Sequence, residues 1–244
     1  MTQTILTITD NCLLAPGVFR MRLAGLGPEE VRPGQFVQVR VPGTFLRRPV
    51  SVCDAAGGEL TLIYKIVGEG TRILAGMRPG ETLDVLAGLG NGYDLSRAGS
   101  APVLVGGGVG IPPLYYLAKK LLRAGVTPRV ILGFPSREDL ILLDEFFRLG
   151  LAPTVTTDDG SFGIRGRVTE AMDLPHSFFY ACGPAPMLRA VCEASPASGE
   201  VSLDARMGCG FGACMGCTIQ TVNGPRRVCK DGPVFGKEEL RWTD

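Results

Sequence analysis

The sequence CGFGACMGC spans residues 209–217, and another cysteine follows at position 229. The resulting order, C-x4-C-x2-C and then a cysteine after eleven more residues, is the spacing of plant-type [2Fe–2S] sites. Thiolates are soft ligands, and four of them around two irons leave no position for a substrate. The stretch therefore predicts a site that transfers single electrons, with these ligands: Cys209, Cys214, Cys217 and Cys229.

Two other uses of these cysteines stay open at this point. Structural zinc sites usually pair two C-x2-C motifs across a longer gap, whereas this stretch has a single short gap. Disulfides are disfavoured because the first residues, MTQTILTITDNC, lack the basic and apolar regions of a signal peptide. Eight cysteines without an export signal predict a reducing, cytoplasmic setting and a metal site.

The composition limits the possible partners. Of the 244 residues, 45% are hydrophobic and 20% are charged, which is typical of a globular chain with one large or two medium domains. The net charge of +1 offers no cationic surplus for nucleic acid or anionic lipid. No apolar run reaches the ~18 residues that cross a bilayer. We therefore expect no nucleic-acid and no membrane partner.

Residues 1–98 predict a small antiparallel β-barrel. Alternating hydrophobic residues at 4–9, 18–23, 36–41, 60–67 and 82–86 predict strands, which Gly and Pro turn signals separate. A short helix is expected at 71–77. The even spacing of strands and turns is typical of a barrel.

Two segments of this half suggest contacts with phosphate. The sequence RRPVS at 47–51 combines guanidinium groups with a hydroxyl, which suits a pyrophosphate, although arginines at a solvated strand end would look the same. The sequence GEGT at 68–71 follows a strand and begins a helix, where backbone N–H groups bind anions. The alternative there is a plain helix start in which Thr71 is the N-cap.

Residues 99–200 predict an α/β domain with a parallel sheet. A strand at 102–105 meets GGGVGIPP at 106–113 and then apolar residues at helical spacing, an order that suits a dinucleotide on a helix N-terminus. A glycine-rich turn without a ligand remains possible. Further strands are expected at 130–134, 153–157 and 178–181, with helices at 138–149 and 187–193.

Other residues of this half are less informative. The segment SRED at 136–139 offers both an arginine for a 2′-phosphate and carboxylates for a free ribose hydroxyl, so the choice between NAD and NADP stays open. The single histidine, His176, is expected at the surface of a loop.

The motifs, in this order, resemble the ferredoxin–NADP reductase superfamily. With the C-terminal cysteines added, the whole chain resembles the electron-transfer subunits of NAD-dependent (class 1B) dihydroorotate dehydrogenases. The resemblance rests on residues 48–51, 63–65, 70–71, 105–113, 181–184, 204–217 and 228–235. It implies an α+β multidomain fold with an FAD-binding antiparallel β-barrel at 1–98, an NAD-binding α/β parallel-sheet domain at 99–200, and a small [2Fe–2S] domain at 201–244. One departure is Asp204, where the family has glutamate.

The resemblance also implies which residues hold the cofactors. FAD would contact two barrel segments: Arg48, Pro49, Val50 and Ser51, and then Ile63, Tyr64, Lys65, Gly70 and Thr71. NAD would be held by the glycine loop and by a second loop near the nicotinamide: Gly106, Gly107, Gly108, Gly110, Cys182, Gly183 and Pro184. No catalytic residue is assigned beyond Cys182, which would lie near the nicotinamide.

A flavin exchanges electrons in pairs with NAD and singly with a cluster, so FAD belongs between the other two. The resemblance implies a partner, the FMN-containing catalytic subunit that oxidises dihydroorotate in de novo pyrimidine (UMP) biosynthesis, in a heterotetramer with two of each chain. Electrons would run from FMN to the cluster, FAD and NAD+. We expect Met207, Phe211 and Met215 to contact that subunit, unless they pack against this chain's own barrel.

Two alternative functions remain at this point. One is an NAD(P)H-linked flavin and iron–sulfur reductase subunit of another complex, of the hydrogenase, sulfite reductase or transhydrogenase type. The other is a non-enzymatic redox-sensing module. The identity of the partner and the response of the flavin to NADH would separate these alternatives.

Overall fold

The computed structural model describes residues 1–27 and 31–242, so the last two residues of the expected cluster domain lie outside the described residues. The first part of the chain folds into a closed antiparallel barrel, as the alternating hydrophobic residues predict. The strands join in the order β1-β2-β5-β4-β3-β6. Their bounds are β1 Thr2–Ala15, β2 Val18–Ala24, β3 Phe36–Val39, β4 Arg48–Ala56, β5 Glu59–Lys65 and β6 Thr82–Leu89.

The sequence patterns do not predict strand β4, which the structure contains. It begins with the polar segment that the sequence singled out for phosphate, and its inward residues, Val50 and Val52, are buried in the barrel core. Helix α1 (Glu69–Gly76) follows β5 close to its expected position. The barrel core therefore draws on β4 as much as on the strands with stronger alternation.

The middle of the chain forms a mostly parallel sheet with helices, as expected for an α/β domain. The strand order is β10-β9-β8-β7-β11-β12-β15. The elements are β7 Pro102–Gly107, α2 Ile111–Arg123, β8 Arg129–Phe134, α3 Leu143–Arg148, β9 Thr154–Thr157, β10 Ile164–Arg165, β11 Phe178–Cys182, α4 Ala185–Ala194, β12 Gly199–Ser202 and β15 Val234–Gly236.

The helix expected at 138–149 is wrong in extent. A 3-10 turn at Arg137–Asp139 comes first, and α3 begins only at Leu143. Leu142, between them, has φ 62°, a left-handed conformation that a continuous helix does not allow. The segment is amphipathic enough to suggest one helix, but the chain breaks at Leu142, where Ile141 and Leu142 are buried together in the core between the barrel and the sheet.

The C-terminal segment is built onto both of the other parts. Its hairpin consists of β13 (Thr218–Thr221) and β14 (Gly224–Arg227), and β15 then pairs antiparallel with β12 at the edge of the α/β sheet. Phe36 and Leu89 of the barrel pack in one apolar cluster with Val228 and Phe235 of this segment. The expected boundary after residue 200 falls inside β12.

Polar contacts hold the three parts together. The Asn91 carboxamide donates to the Val234 carbonyl at 2.8 Å and accepts from the Val234 N–H at 3.2 Å, which ties β15 to the end of the barrel. The Tyr116 hydroxyl of α2 donates to the Val31 carbonyl at 2.7 Å, and Lys119 pairs with Asp54 of β4. In the part of the chain described here, no helix combines the length and the apolar surface that a bilayer crossing requires.

Arg47 and Asp84 form a bidentate ion pair on the barrel. The two contacts are 3.0 Å between Nη1 and Oδ1 and 2.8 Å between Nη2 and Oδ2, and the side chains are 19% and 15% exposed. Hydrogen bonding from Arg47 lowers the pKa of Asp84 below its ordinary value of 3.8. Arg47 is thus engaged with Asp84 on the outer side of β6, and Arg48 is the guanidinium that lies against Gly70.

We expect Asp84→Asn to lower the free energy of unfolding by about 2 kcal/mol at neutral pH, because it removes the charge from a shielded pair. Since folding lowers the pKa of Asp84, the carboxylate stabilises the protein above its ordinary pKa, and this contribution is lost as pH falls through the folded pKa. Chemical denaturation across a pH series measures both effects.

Glu59→Gln is the matched control for this prediction. Glu59 lies 3.9 Å from Arg22, and the two side chains are 40% and 44% exposed, so its loss should change stability little. An equal loss in the two variants, or an Asp84→Asn loss that persists at acid pH, would contradict the assignment.

Candidate functional site

The cysteine loop, residues 208–217, and Cys229 bring their sulfurs together in two pairs. The Cys214 N–H donates to Sγ of Cys209 at 3.4 Å, and the Cys209 N–H donates to Sγ of Cys214 at 3.5 Å. The Cys229 N–H donates to Sγ of Cys217 at 3.4 Å. Within residues 1–27 and 31–242, no group of three or more His, Cys, Asp or Glu side chains converges on one metal position. Backbone donors thus link the four cysteines two by two, which is compatible with the four-thiolate ligand set of a [2Fe–2S] site.

The two cysteine pairs differ in burial. Cys217 and Cys229 are 4% and 2% exposed and pack in the apolar cluster that contains Phe36 of β3. Cys209 is partly exposed and Cys214 is exposed. One pair therefore faces the barrel, and the other faces solvent.

The apolar residues of the loop divide in the same way. Phe211 is 45% exposed and Met215 is 54% exposed, beside the outer cysteine pair. Met207, in contrast, is half-buried and packs against the chain's own apolar cluster around Phe36, which is the alternative that the sequence left open. The exposed apolar surface of the loop is made by Phe211 and Met215.

The loop backbone favours a thiolate at Cys209. Burial opposes ionisation there, but N–H groups of Cys214, Phe211 and Ala213 outweigh it and lower the pKa of Cys209 to about 6. Burial, with Cys217 alongside, raises the pKa of Cys229 to about 12. Thiolates are the form that binds metal, and the backbone donors around Cys209 favour that form.

The predicted flavin residues Pro49 and Ser51 lie on the barrel face that carries the cysteine loop. In the β3–β4 register, Gln38 is opposite Pro49, and Phe36 is opposite Ser51. Residues directly opposite one another project to the same face of a sheet. Pro49 and Ser51 therefore stand one strand away from the loop, whereas Val50 points into the barrel core.

Arg48 lies against Gly70 at the start of α1, next to Thr71. A Cβ on Gly70 would lie 2.4 Å from Nε of Arg48, so the guanidinium rests on the glycine. The Thr71 hydroxyl accepts from the N–H of Val67 at 2.9 Å and donates to the Gly68 carbonyl at 3.1 Å. The hydroxyl is thus used by the helix start itself, and an anion would be met by Arg48 and free N–H groups.

Residues 63–65 point alternately to the two faces of strand β5. Ile63 faces outward and is buried in the core between the barrel and the α/β sheet, while Lys65 is exposed. Tyr64 points into the barrel, and its hydroxyl donates to Oδ1 of Asn11 at 3.1 Å. The Tyr64 side chain is therefore turned away from the outer face that carries Pro49 and Ser51, although Tyr64 belongs to the predicted flavin segment.

The glycine loop and the 182–184 loop meet at the carboxyl ends of β7 and β11. A Cβ on Gly110 would lie 2.4 Å from the carbonyl atoms of Cys182, and a Cβ on Gly183 would lie 3.2 Å from the N atom of Gly107. Backbone therefore packs on backbone between the two loops. Gly108, with φ 51°, has open space where a side chain would be. This is the place where a pyrophosphate can approach the chain.

Cys182 is an uncharged thiol in this site. It is 9% exposed, and burial raises its pKa to about 12, with Ser202 and Tyr93 as neighbours. The Tyr93 hydroxyl donates to the Ala181 carbonyl at 3.0 Å and fixes the end of β11. A buried neutral thiol suits packing against a flat ring better than nucleophilic attack.

The segment at 136–139 is folded on itself. The Ser136 hydroxyl donates to Oδ2 of Asp139 at 2.9 Å and accepts from the Glu138 N–H at 3.2 Å. The Arg137 guanidinium lies 5.9 Å from the ring centre of Phe162. His176 accepts or donates a 2.7 Å hydrogen bond with the Ser195 hydroxyl, and it precedes the amino end of β11, whose carboxyl end carries the second nucleotide loop.

Sequence reasoning missed two features of the site. Phe45 is 100% exposed and comes three residues before Arg48, and Val67 is 81% exposed and comes three residues before Gly70. The phenylalanine that follows the turn residues Pro42 and Gly43 in PGTFL could have indicated this exposed apolar side chain. Gln38 is buried under the cysteine loop, and its position in an ordinary strand gave no signal.

Comparison with known proteins identifies the family. Residues 204–241 match the model for the iron–sulfur cluster binding domain of dihydroorotate dehydrogenase B, and residues 104–193 match the oxidoreductase NAD-binding domain. The chain is 44% identical over 250 residues to the dihydroorotate dehydrogenase B (NAD(+)) electron transfer subunit of Bacillus caldolyticus, covering 96% of this chain and 97% of the relative. The chain belongs to this family.

Other relatives agree with this family of electron transfer subunits. The subunit of the same name from Fusobacterium nucleatum is 40% identical over 247 residues, covering 94% of this chain and 95% of its own length. The structure of an NADH-dependent reduced ferredoxin–NADP oxidoreductase, solved to study flavin-based electron bifurcation, superposes with a TM-score of 0.90 at 32% identity, covering 98% of this chain and 90% of that one. The predicted family, the α+β multidomain fold and the oxidoreductase class are confirmed, and so are iron–sulfur and pyridine nucleotide as cofactor types.

The contact between the two nucleotide loops generates a prediction. Gly110→Ala should lower the free energy of unfolding by about 3 kcal/mol, because the methyl group would collide with the backbone at Cys182. Gly108→Ala should cost only about 1 kcal/mol, from its left-handed backbone, but should weaken NADH binding. Chemical denaturation and NADH titration separate the two effects. Equal destabilisation of both variants would show that the loop contact is not the reason.

Proposed function

We propose that this chain passes electrons from the FMN of a dihydroorotate dehydrogenase catalytic subunit, through a [2Fe–2S] cluster and FAD, to NAD+, in de novo pyrimidine (UMP) biosynthesis. The relatives described above carry the name of electron transfer subunits of that NAD(+)-linked enzyme. The single observation that supports the proposal is the order, along one outer face of the barrel, of the residues predicted for the three sites.

That order follows the strand sequence β5-β4-β3. Ile63 of β5 packs into the core shared with the α/β domain, on the nucleotide side. Pro49 and Ser51 of β4 come next, and Phe36 and Gln38 of β3 carry the cysteine loop. A flavin on β4 would therefore stand between the nicotinamide and the cluster, which is the position that its chemistry requires.

The proposed FAD site is supported by the chemistry of its residues. When bound, FAD supplies the conversion between a hydride and single electrons. Arg48, with the backbone N–H groups at the start of α1, would bind its pyrophosphate. The remaining residues of the predicted set, Val50, Ile63, Tyr64, Lys65 and Gly70, would support this site through the backbone of β4, β5 and α1.

The proposed NAD and cluster sites rest on loop geometry. The 106–110 loop would hold the dinucleotide phosphates. The neutral Cys182 thiol, with Gly183 and Pro184, would lie against the nicotinamide. At the cluster, the backbone donors of the cysteine loop would stabilise the sulfur charge of Cys209 and Cys214. The chain's own task is to orient the cofactors.

We also propose the division into an FAD-binding barrel at 1–98, an NAD-binding domain at 99–200 and a cluster-binding domain at 201–244. The barrel strands end at Leu89 and the first parallel strand begins at Pro102, which supports the first boundary. The second boundary would mark a change of function within one sheet, since it falls in β12, and β12 pairs with β15 of the cluster-binding part. A cytoplasmic location stays a prediction from the cysteine content.

The partner is proposed to be the FMN-containing catalytic subunit, in a heterotetramer with two of each chain. Its docking surface on this chain would centre on Phe211 and Met215, beside the outer cysteine pair. Met215 has φ 61°, a left-handed conformation that is unfavourable for a methionine, yet its side chain is 54% exposed. An exposed apolar residue held at that cost supports a surface that becomes buried in a complex.

A second candidate is favoured by one observation. The solved structure described above, an NADH-dependent reduced ferredoxin–NADP oxidoreductase, shares 32% identity and the whole architecture with this chain. A reductase subunit of another complex would use the same cofactor order with a different partner. The partner that co-purifies with the chain distinguishes the two candidates.

The function is tested first on the chain with its cofactors. We expect the purified protein to contain FAD and two irons per chain, and NADH to bleach the flavin and reduce the cluster. Cys217→Ser should lose the iron signal and keep the bleaching of the flavin, because Cys217 is a buried ligand that packs in a different apolar cluster from Cys182. With the FMN-containing subunit added, dihydroorotate should reduce NAD+. A wild-type protein with zinc in place of iron, or with a flavin that NADH does not bleach, would refute the proposal.

The docking surface is tested by Phe211→Glu. We expect it to weaken association with the catalytic subunit by about tenfold or more, because a carboxylate would be buried in an apolar contact. Phe147→Glu is the matched control, since Phe147 is 52% exposed on α3 of the α/β domain. Both variants should retain NADH-driven flavin bleaching. Equal affinity of the two variants for the subunit, measured by calorimetry, would remove Phe211 from the interface.

A further inference from the structure

Gln38 lies at the contact between the barrel and the cysteine loop. It is the outward-facing residue of β3 between two core residues, Val37 and Val39, and it is 0% exposed. A Cβ on Gly210 would lie 2.3 Å from Nε2 of Gln38 and 2.8 Å from its Cδ. The carboxamide therefore rests directly on the loop backbone beside Cys209, and only glycine fits at position 210.

Both polar atoms of this carboxamide lack a hydrogen-bond partner among the described residues. Gln35, three residues earlier and also buried, shows the usual arrangement. Its Nε2 donates to the Gly90 carbonyl at 2.8 Å, and its Oε1 accepts from the Arg32 N–H at 2.9 Å. An unpaired buried amide is costly, and leucine or methionine would fill the same space without that cost. A glutamine at this position indicates a partner that binds there.

The surroundings of Gln38 select the partner. Across the β3–β4 register lies Pro49, which has no N–H to offer. On the same face, Phe36 packs against the sulfur-bearing residues Cys217 and Cys229, and the amide nitrogen faces the loop next to Cys209. The sulfurs of an iron–sulfur site accept hydrogen bonds, and such donors set its reduction potential.

We propose that Gln38 is a positioning residue of the iron–sulfur site, whose amide N–H donates to a sulfur of the group that the four cysteines hold. The inference rests on the proposed function, which supplies that group. The N–H dipole stabilises the additional negative charge of the reduced site, so its removal lowers the reduction potential. Gln38 also stands one strand from Pro49 and Ser51, and it therefore links the cluster loop to the proposed flavin strand.

The test compares Gln38→Leu with Thr156→Val in the full chain with its cofactors. Thr156 is the matched control because its Oγ1 is also buried and unpartnered within the described residues, but it lies on β9 of the α/β sheet. We expect Q38L to retain iron and to lower the midpoint potential of the cluster by about 59 mV, a tenfold shift of a one-electron equilibrium. The midpoint of T156V should equal that of the wild type. A redox titration monitored by electron paramagnetic resonance gives both values.

Each other outcome has a defined meaning. An unchanged Q38L midpoint, with thermal stabilisation like that of T156V, would make Gln38 an ordinary core residue and overturn the inference. A shift confined to the flavin potential would also overturn it. If Q38L does not retain iron, Gln38→Met, which keeps the side-chain length, must show the same shift. Wild-type protein without iron would refute the proposed function instead, so the two failures are distinguishable.

Discussion

The packing of the cysteine segment against the outer face of β3 and β6 is the contact on which the rest of this structure depends. Phe36 and Leu89 of the barrel form one apolar cluster with Cys217, Cys229 and Val228. The same segment continues into β15, which pairs with the edge of the α/β sheet. A short cysteine-rich segment has too little apolar surface to fold alone, so it is stabilised by burying its inner half on two larger parts. The inner cysteines are thereby held against the barrel, and the outer ones remain accessible.

Glycine makes the close approaches that this arrangement needs. Gly210 lets the loop backbone rest on the Gln38 carboxamide, and Gly110 lets the glycine loop touch the backbone at Cys182. In both places a methyl group would occupy space already filled by the neighbouring element. The chain therefore positions its sites through backbone contacts, which are stiffer than contacts between long side chains. This is suited to a protein whose redox chemistry belongs to bound cofactors and whose own task is orientation.

The accuracy of the sequence interpretation differed from element to element for physical reasons. Strands with regular alternation, such as β2 and β5, and the βα unit at β7 and α2 were found close to their bounds, because local hydrophobic patterns report burial directly. Strand β4 was missed because its polar residues lie on the outer face. The helix predicted at 138–149 was too long because Leu142 adopts a left-handed conformation. The meeting of the 106–110 and 182–184 loops was predictable, since ligands bind at the carboxyl ends of parallel strands.

The sequence by itself determined the cysteine spacing, the glycine loop, the order of the parts and therefore the family, since these are patterns of residue type along the chain. Only the tertiary structure decided the pairing of Cys209 with Cys214 and of Cys217 with Cys229. It also separated Arg47, bound to Asp84, from Arg48, which rests on Gly70, and it buried Gln38 without a partner among the described residues. Apart from the short loop that joins Cys209 to Cys214, these features arise between residues from different elements, and no local pattern records which neighbour from another element a side chain will meet.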